Sequence, residues 1–469
     1  MNLPDFESDY SALFGAIRKV VPASMKIYLV GGAVRDILLG RKIRDFDFTV
    51  EGLVRPIGKS IANELGGAYY VLDDEREMVR VIIEDEQSGK FDVDIAQLTG
   101  ETIEDDLRER DFTINAMAIA VGNEKQLVDP LDGLSDMENK TLRMCASDSL
   151  KNDPLRSLRA IRMSLEFGLE MNEDLRNAMF EARSRLYVSS MERYRDEMFK
   201  IIRLHKNAEA VSMWKKFGLM DHLFPEWNSE ISFGPEWIAN TDHFSLLLTV
   251  DRKKADPLSD FDSYASSRLG NYKEALKAFF DKPLALYHNR RMLILFAAIA
   301  GSLSGSAEVL NGWCSRLAFS SSEIIFVTNS LGSYEHLRDV RNPENFGDVD
   351  IYRYFRQYKE GGIGGLILYL ADGYRCQDIP NAYKTWCDKV VFVQNMVSAY
   401  FTRYMEVISP RPLMSGHDIQ ELLNISAGPV IGLIKNALIE AQISGAVKNL
   451  SEAESFVRLE SKHFLLNNV

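Results

Sequence analysis

Apolar and polar positions alternate with two different periods along this chain, and the change between them divides it. Up to about residue 25, Leu13, Phe14, Ile17, Val20 and Val21 fall at helical spacing, so a peripheral helix is expected. Between about 26 and 145, short strand-like runs alternate with amphipathic stretches. Residues 28–30 read as a strand, followed by a glycine turn, a short helix closed by Gly40, and a second strand through Asp45 and Asp47. A helix is expected over about 57–65, ended by Gly66 and Gly67, then strands over 68–72, 78–83 and 91–96, the last two joined by a turn over 85–89. From residue 149 to about 205 the pattern is helical, and beyond 206 it stays mostly helical. Polar stretches near 251–264 and 332–350, with the proline-bearing stretch 408–413, are the expected boundaries there.

The stretch 28–49 carries the chemistry. Asp45 and Asp47 are two residues apart on a strand, so both project from one face, and two adjacent carboxylates repel unless a cation lies between them. Gly31 and Gly32 precede a helix and offer free N–H groups, with the fixed charge of Arg35 one turn on, a combination suited to phosphate. Either feature alone also has a plain reading, as a turn or a solvated strand face. Asp92 and Asp94 alternate on a later strand. Either could supply a third carboxylate: Asp94 lies deeper in that strand and is preferred, while for Asp92 an edge-strand solvent face is an equal reading. Residues 105–118 crowd Arg110, Asp111, Thr113 and Asn115 together, either as helix caps or as a nucleotide contact with its local supports.

Further on, Asp153, Arg156, Arg159 and Arg162 follow at steps of three, an inclined stripe along one side of a helix. Asp153 before Pro154 is also a natural cap. Three arginines without regular i+4 acid partners repel one another, which points to an anionic or planar ligand. A helix from Ser189 opens with a capping box ending at Glu192, and Glu192, Arg193 and Glu197 read as a salt-bridged face. Near the end, Gly428 and Pro429 open a helix, either as a turn or as a phosphate grip.

Composition narrows the class. With 469 residues the chain has room for about two to four domains. A net charge of −13 argues against a protein that coats nucleic acid generally, and leaves room for a local basic groove. Cys145, Cys314, Cys376 and Cys387 are scattered without metal-ligand or disulfide spacing, so a reducing, cytoplasmic setting is expected. The N-terminus lacks the pattern of a signal peptide, and the longest apolar run, 292–300, is too short to span a membrane. The seven histidines form no metal-binding series.

Taken in order, the motifs Leu29-Val-Gly-Gly-Ala-Val-Arg-Asp36, Asp45-Phe-Asp47, Arg110-Asp-Phe-Thr-Ile-Asn-Ala116, Asp129-Pro-Leu-Asp-Gly133 and Asp153-Pro-Leu-Arg-Ser-Leu-Arg-Ala-Ile-Arg162, with the Glu192-Arg193 helix, resemble the class II tRNA nucleotidyltransferase and bacterial poly(A) polymerase family of the polymerase β superfamily. The resemblance covers about residues 25–205. It implies an α+β fold: a nucleotidyltransferase head with a small mixed sheet over 1–145, a helical neck over 146–205, a helical body over 206–345 and a helical tail over 346–469. It implies that Gly31, Gly32 and Arg35 meet the triphosphate, that Asp45 and Asp47 hold Mg²⁺, and that Arg110 contacts the nucleotide. Asp153, Arg156, Arg159 and Arg162 would line the base pocket.

The implied substrates are tRNA, CTP and ATP. Two departures bear on which nucleotides are added. Asn152 stands where the family often has Glu, and only Gln97 to Ile103 separates the third sheet strand from the Glu-Asp-Asp-Leu helix, where full CCA-adding relatives carry a longer segment. The short segment leans toward CC addition, with a second nucleotidyltransferase completing the end. The alternatives are a poly(A) polymerase acting on other RNAs, a non-catalytic RNA-binding protein on the same head, and an added phosphohydrolase, which the scattered histidines disfavour.

Overall fold

A seven-stranded mixed sheet organises the N-terminal part of the computed structural model, which describes residues 5–466 except 76, 86–88, 123–125, 225, 228–233, 250–257, 286–287, 305, 342 and 375–380. The strands are β1 (Ile27–Val30), β2 (Asp45–Val50), β3 (Ala68–Asp73), β4 (Met78–Asp85), β5 (Gly89–Gln97), β6 (Ala118–Ala120) and β7 (Leu127–Val128). Their spatial order is β3-β4-β5-β2-β1-β6-β7. β2 and β5 run parallel, and the other neighbours are antiparallel. The 85–89 turn falls mostly on residues 86–88, outside the described residues.

Period-two alternation assigns the two faces of the sheet. Phe46, Phe48, Val79, Val81, Val93 and Ile95 are buried together with Leu13, Phe14 and Ile17 of helix α1 (Ser11–Val20) and Ile57 and Ile61 of α3 (Val54–Leu65). Asp45, Asp47, Arg80, Asp92 and Asp94 occupy the alternate positions and face the other way. Between β1 and β2 lies the short helix α2 (Gly32–Leu38), after which Gly40 reverses the chain at φ +65°. β5 lies between β4 and β2, so Asp92 is on an interior strand and not, as its sequence suggests, on an edge.

The chain continues through α4 (Ile103–Arg108), whose N-terminus is closed by a capping box between Thr102 and Asp105, a 3₁₀ turn Thr113–Asn115 and α5 (Gly133–Glu138). Four helices follow: α6 (Ser149–Asn152), α7 (Arg156–Phe167), α8 (Glu173–Ala182) and α9 (Met191–Ile202). The last starts at Met191, one residue later than a cap at Ser189 suggests. A two-stranded parallel pair, Thr141–Leu142 with Glu170–Met171, ties the entrance of this helical region to its middle.

Compactness divides the chain into one unit of Met1–Glu197 with Met213–Leu223, and another of Met198–Ser212 with Phe224–Val469. The second unit is helical among its described residues. Helices Ser321–Asp339 and Gly361–Tyr374 approach so closely that Gly364 and Gly365 have no room for a Cβ against Ser330 and Ser333. Positions 332–339, expected at a boundary, therefore lie inside a helix. Of the stretch 251–264, residues 251–257 fall outside the described residues and a helix begins at Asp260. After 408–413, three helices (Gly416–Leu423, Pro429–Ile443 and Leu450–Leu466) share a core of Ile419, Ile434, Leu438, Ala453 and Val457. Among the described residues no single helix is long and apolar enough to cross a membrane. Cys145, Cys314 and Cys387 are free thiols.

Candidate active site

Four carboxylates gather on the face of the sheet opposite α1 and α3. Asp45 is in register with Asp92, and Asp47 with Asp94, on adjacent parallel strands. Burial first, and then the charge of Asp94, push the Asp47 carboxyl up to about 6. The Asp45 carboxyl is raised as well, by desolvation and then by Asp92. One cation answers part of this charge: Arg80 of β4 donates from Nε and Nη2 to the two oxygens of Asp94, both at 2.7 Å, and its Nη1 is 3.6 Å from Asp92. Asp94, the preferred third acid, thus has both oxygens taken by an arginine.

Both Asp45 and Asp47 are left raised from the usual aspartate value, the electrostatic condition that a cation relieves. All-oxygen donors suit a hard divalent ion. Among the described residues no group of three or more His, Cys, Asp or Glu is gathered to hold a metal. Two carboxylates with the remaining positions left to water and phosphate oxygens is how Mg²⁺ is commonly held, so the donor set fits such an ion. The histidines take no part in it: His205 pairs with Asp242, His243 with Asp262 and His288 with Glu323.

The glycine turn meets these acids. Gly31 has φ +72°, a conformation natural only to glycine, and a Cβ there would lie 3.0 Å from Arg110 Nη1 and 3.4 Å from Asp47 Oδ2. Turn, arginine and acid therefore converge on one point. Arg110 is steadied by Asp106, whose Oδ2 accepts from its Nε at 3.2 Å and its Nη2 at 3.0 Å. Arg35 is placed differently from the expectation of a group open to phosphate. It is buried, donates from Nη1 to Asn115 Oδ1 at 2.6 Å and from Nε and Nη2 to Asp36, and lies 4.2 Å from the centre of the Phe167 ring. In this structure it braces α2 against the 3₁₀ turn.

The arginine stripe of α7 needs correcting. Arg162 does have an i+4 acid, Glu166, at 3.1 Å, and a second, Glu197 of α9, at 2.5 Å. Arg159 pairs with Asp111 at 2.8 Å. Arg156 donates to the carbonyls of Glu109 and Arg110 and to the Ser149 hydroxyl. The stripe is thus neutralised by acids and carbonyls of other segments, so mutual repulsion does not describe it. Asp153 accepts from Arg193 Nη2 at 2.7 Å and, at 3.3 Å, from the Leu155 N–H, a capping contact at the start of the helix. Arg193 and Glu197 consequently pair away from α9, not along one face of it.

Asp111 joins the two halves of the site. It accepts from the Phe112 N–H and from Asn115 Nδ2 through one oxygen and faces Arg159 with the other. Burial alone would raise its carboxyl. The charge of Arg159 and these hydrogen bonds outweigh burial and hold it below the usual range. Arg159 Nε is buried and has no hydrogen-bond partner among the described residues, which leaves one of its donors unused. Sequence reasoning passed over Arg80, Asp106 and Phe167. Arg80 left a signal there, as a charge at an alternating position of a strand, and so did Asp106, four residues before Arg110.

A family model described as "Poly A polymerase head domain" matches residues 27–143, and one described as "Probable RNA and SrmB- binding site of polymerase A" matches residues 168–231. A CC-adding tRNA nucleotidyltransferase of Synechocystis sp. is 26% identical over 454 residues, covering 94% of this chain and 96% of the relative. An A-adding tRNA nucleotidyltransferase of Deinococcus radiodurans is 29% identical over 92% of this chain and 94% of its own length. Among solved structures, a CCA-adding enzyme with CTP aligns over 97% of this chain and 94% of its own, with a TM-score of 0.65 at 20% identity. The Thermotoga maritima CCA-adding enzyme complexed with tRNA gives 0.60 at 20% identity, over 98% and 96%. At such identities the structural likeness speaks for the fold.

Proposed function

We propose that the chain, which belongs to the class II tRNA nucleotidyltransferase family, adds C and/or A residues of the CCA terminus to tRNA 3′ ends from CTP and ATP, leaning to CC addition, and releases pyrophosphate without a template. The observation that carries this reading is the convergence of Asp45 and Asp47 with the turn at Gly31 and with Arg110. Within it, residues 1–145 serve as head, 146–205 as neck, and 206–345 and 346–469 as body and tail that hold tRNA. The thiols, unpaired where described, suit a cytoplasmic setting.

Asp45 and Asp47 are the residues that would hold Mg²⁺. Bound there, the ion would stabilise charge on the reacting phosphate and favour the ionised RNA 3′-hydroxyl. The backbone at Gly31 and Gly32, with Arg110 Nη1, receives the polyphosphate and neutralises charge on the departing pyrophosphate. Arg35 acts through Asn115 and α2 by fixing that turn. Asp94 acts beside Asp47 as a charge clamped by Arg80.

Base choice follows from hydrogen-bond polarity. Cytosine and adenine each present an amino donor beside a ring-nitrogen acceptor, and uracil and guanine present the reverse. Asp153 accepts from the amino group, its Oδ1 being engaged only by contacts of 3.3 Å or longer. Arg156 donates to the ring nitrogen by exchanging one of its bonds to the Glu109 and Arg110 carbonyls. Arg159, with its spare Nε, and Arg162 complete the wall. A wrong base would leave buried polar groups unpaired.

The connection from β5 to α4 consists of residues 98–102 only. In the family that the motifs resemble, a short segment here accompanies CC addition, so the terminal A would fall to a second nucleotidyltransferase. The test is a tRNA ending at its discriminator base, incubated with CTP, ATP or both, with the 3′ ends sequenced. Two added C residues and no A support the reading. A completed CCA end refutes the CC assignment, and long ATP-only tails on unrelated RNA refute the tRNA assignment.

A further inference from the structure

The acid pair has two sides. On the β1 side, the Gly31 turn and Arg110 crowd Asp47. On the other side the sheet continues through β5, β4 and β3, and strand register places Asp47, Asp94, Arg80 and Tyr70 in one cross-strand row, each neighbour directly beside the next. Residues opposite one another in a ladder share a face, so this row is a continuous strip leading from the acids to the edge of the sheet. The far face of the same strands is covered by α3, through Ile57 and Ile61 packed with Val79 and Val81. On the strip side Tyr70 is 51% exposed and the Arg80 side chain 37% exposed.

Nucleotidyl transfer brings the attacking and leaving oxygens to opposite sides of one phosphorus. If pyrophosphate leaves toward Gly31 and Arg110, the RNA 3′-hydroxyl must arrive from the β5 side. We propose that the strip of Asp94, Arg80 and Tyr70 is the track for the RNA 3′ end, with Arg80 as a positioning residue and Tyr70 as a stacking platform. This rests on the transferase reading and deepens it. Arg80 makes the track passable: without it, Asp92 and Asp94 would set two carboxylates against an incoming phosphodiester, and its paired guanidinium offsets them. Tyr70 lies three strands from Asp47, roughly 14 Å at ordinary strand spacing, within reach of the last two nucleotides. An exposed aromatic ring there offers what a single-stranded base stacks on, without regard to base identity.

The test uses the full chain with tRNA ending at the discriminator base and with CTP, reading KM for each substrate separately. Tyr70→Ala is expected to raise KM for RNA about tenfold, the size of one lost base–aromatic stack, and to leave KM for CTP unchanged. Tyr70→Phe keeps the ring and should stay within about twofold of the parent. Arg80→Gln should raise KM for RNA, and Arg80→Lys should restore part of the loss. Because Tyr70 is an exposed edge-strand residue, its variants should melt with the parent, which separates a subsite from a folding defect. An unchanged KM for RNA in Tyr70→Ala, or a parallel rise in KM for CTP, overturns the track while leaving the transferase reading intact. A parent protein that transfers no nucleotide to RNA overturns both.

Discussion

Replacing Asp111 with Asn tests whether the two halves of the site are joined as described. Asparagine can keep the oxygen that accepts from Phe112 N–H and Asn115 Nδ2, while its amide nitrogen takes the place of the oxygen facing Arg159. Donor then meets donor, and a guanidinium loses its counter-charge. Breaking a fully buried ion pair costs about 3–5 kcal/mol. The Arg159 side chain is 38% exposed and Asp111 only 6%, so water reaches one partner and the expected cost falls to about 2 kcal/mol. In a unit of roughly 200 residues that lowers Tm by about 4–8 °C. The folded-state carboxyl is held below its unfolded value, so its contribution is fully present above the ordinary carboxylate range and is lost as pH falls through the lowered value. Thermal melts should show the full gap between parent and Asp111→Asn at pH 7, closing progressively below about pH 4. A gap under about 1 °C at pH 7, or one that stays constant into acid, would refute the assignment of stability to this pair.

The acid pair makes the opposite prediction. Asp47 is raised to about 6, so its ionisation costs the metal-free fold stability, a cost fully present once pH has risen through that value, and Asp47→Asn in EDTA should be more stable than the parent at pH 8 by about 3 kcal/mol. Adding Mg²⁺ or Mn²⁺ should raise Tm of the parent and not of the variant; equal shifts would remove Asp47 from the metal site. At the turn, Gly31→Ala places a methyl 3.0 Å from Arg110 Nη1 at φ +72°, a strain of about 1–3 kcal/mol. It should raise KM for CTP at least about tenfold while the sheet still folds by circular dichroism, and unchanged kinetics would show that the turn is not the phosphate seat.

Local pattern carried the elements well because their causes are local. The alternation of Phe46 and Phe48 with Asp45 and Asp47 is visible without any partner strand, and so is a turn that requires Gly31 at positive φ. Strand order is different in kind. Whether β5 lies at an edge or between β4 and β2 depends on pairings across about 45 residues of sequence, and nothing near Asp92 records it. The polar run after position 332 misled for a related reason. Ser330 and Ser333 are small enough to let a glycine-rich helix approach, so residues that read as loop-forming are buried in a tight helix contact.

Side-chain partners were the least legible part of the site, and the arginines show why. A guanidinium has five donors, and the sequence says only that they must be satisfied somewhere. Asp106 takes Nε and Nη2 of Arg110, and Nη1 is the atom left nearest the Gly31 turn. Asp111 and Glu197 likewise hold Arg159 and Arg162 from segments well separated in sequence. Arg110 is thus fixed along the Nε and Nη2 edge of its fork by the protein while its Nη1 can meet a ligand, and Arg159 and Arg162 are held in place by their acids. Such a ligand need not bear the entropy of ordering a long flexible side chain, which amounts to about 2 kcal/mol for each arginine. The acids beside the arginines therefore do more than neutralise them. They hold the donors in place before an anion or a base arrives, and this is why removing Asp111 should loosen the site and not merely change its charge.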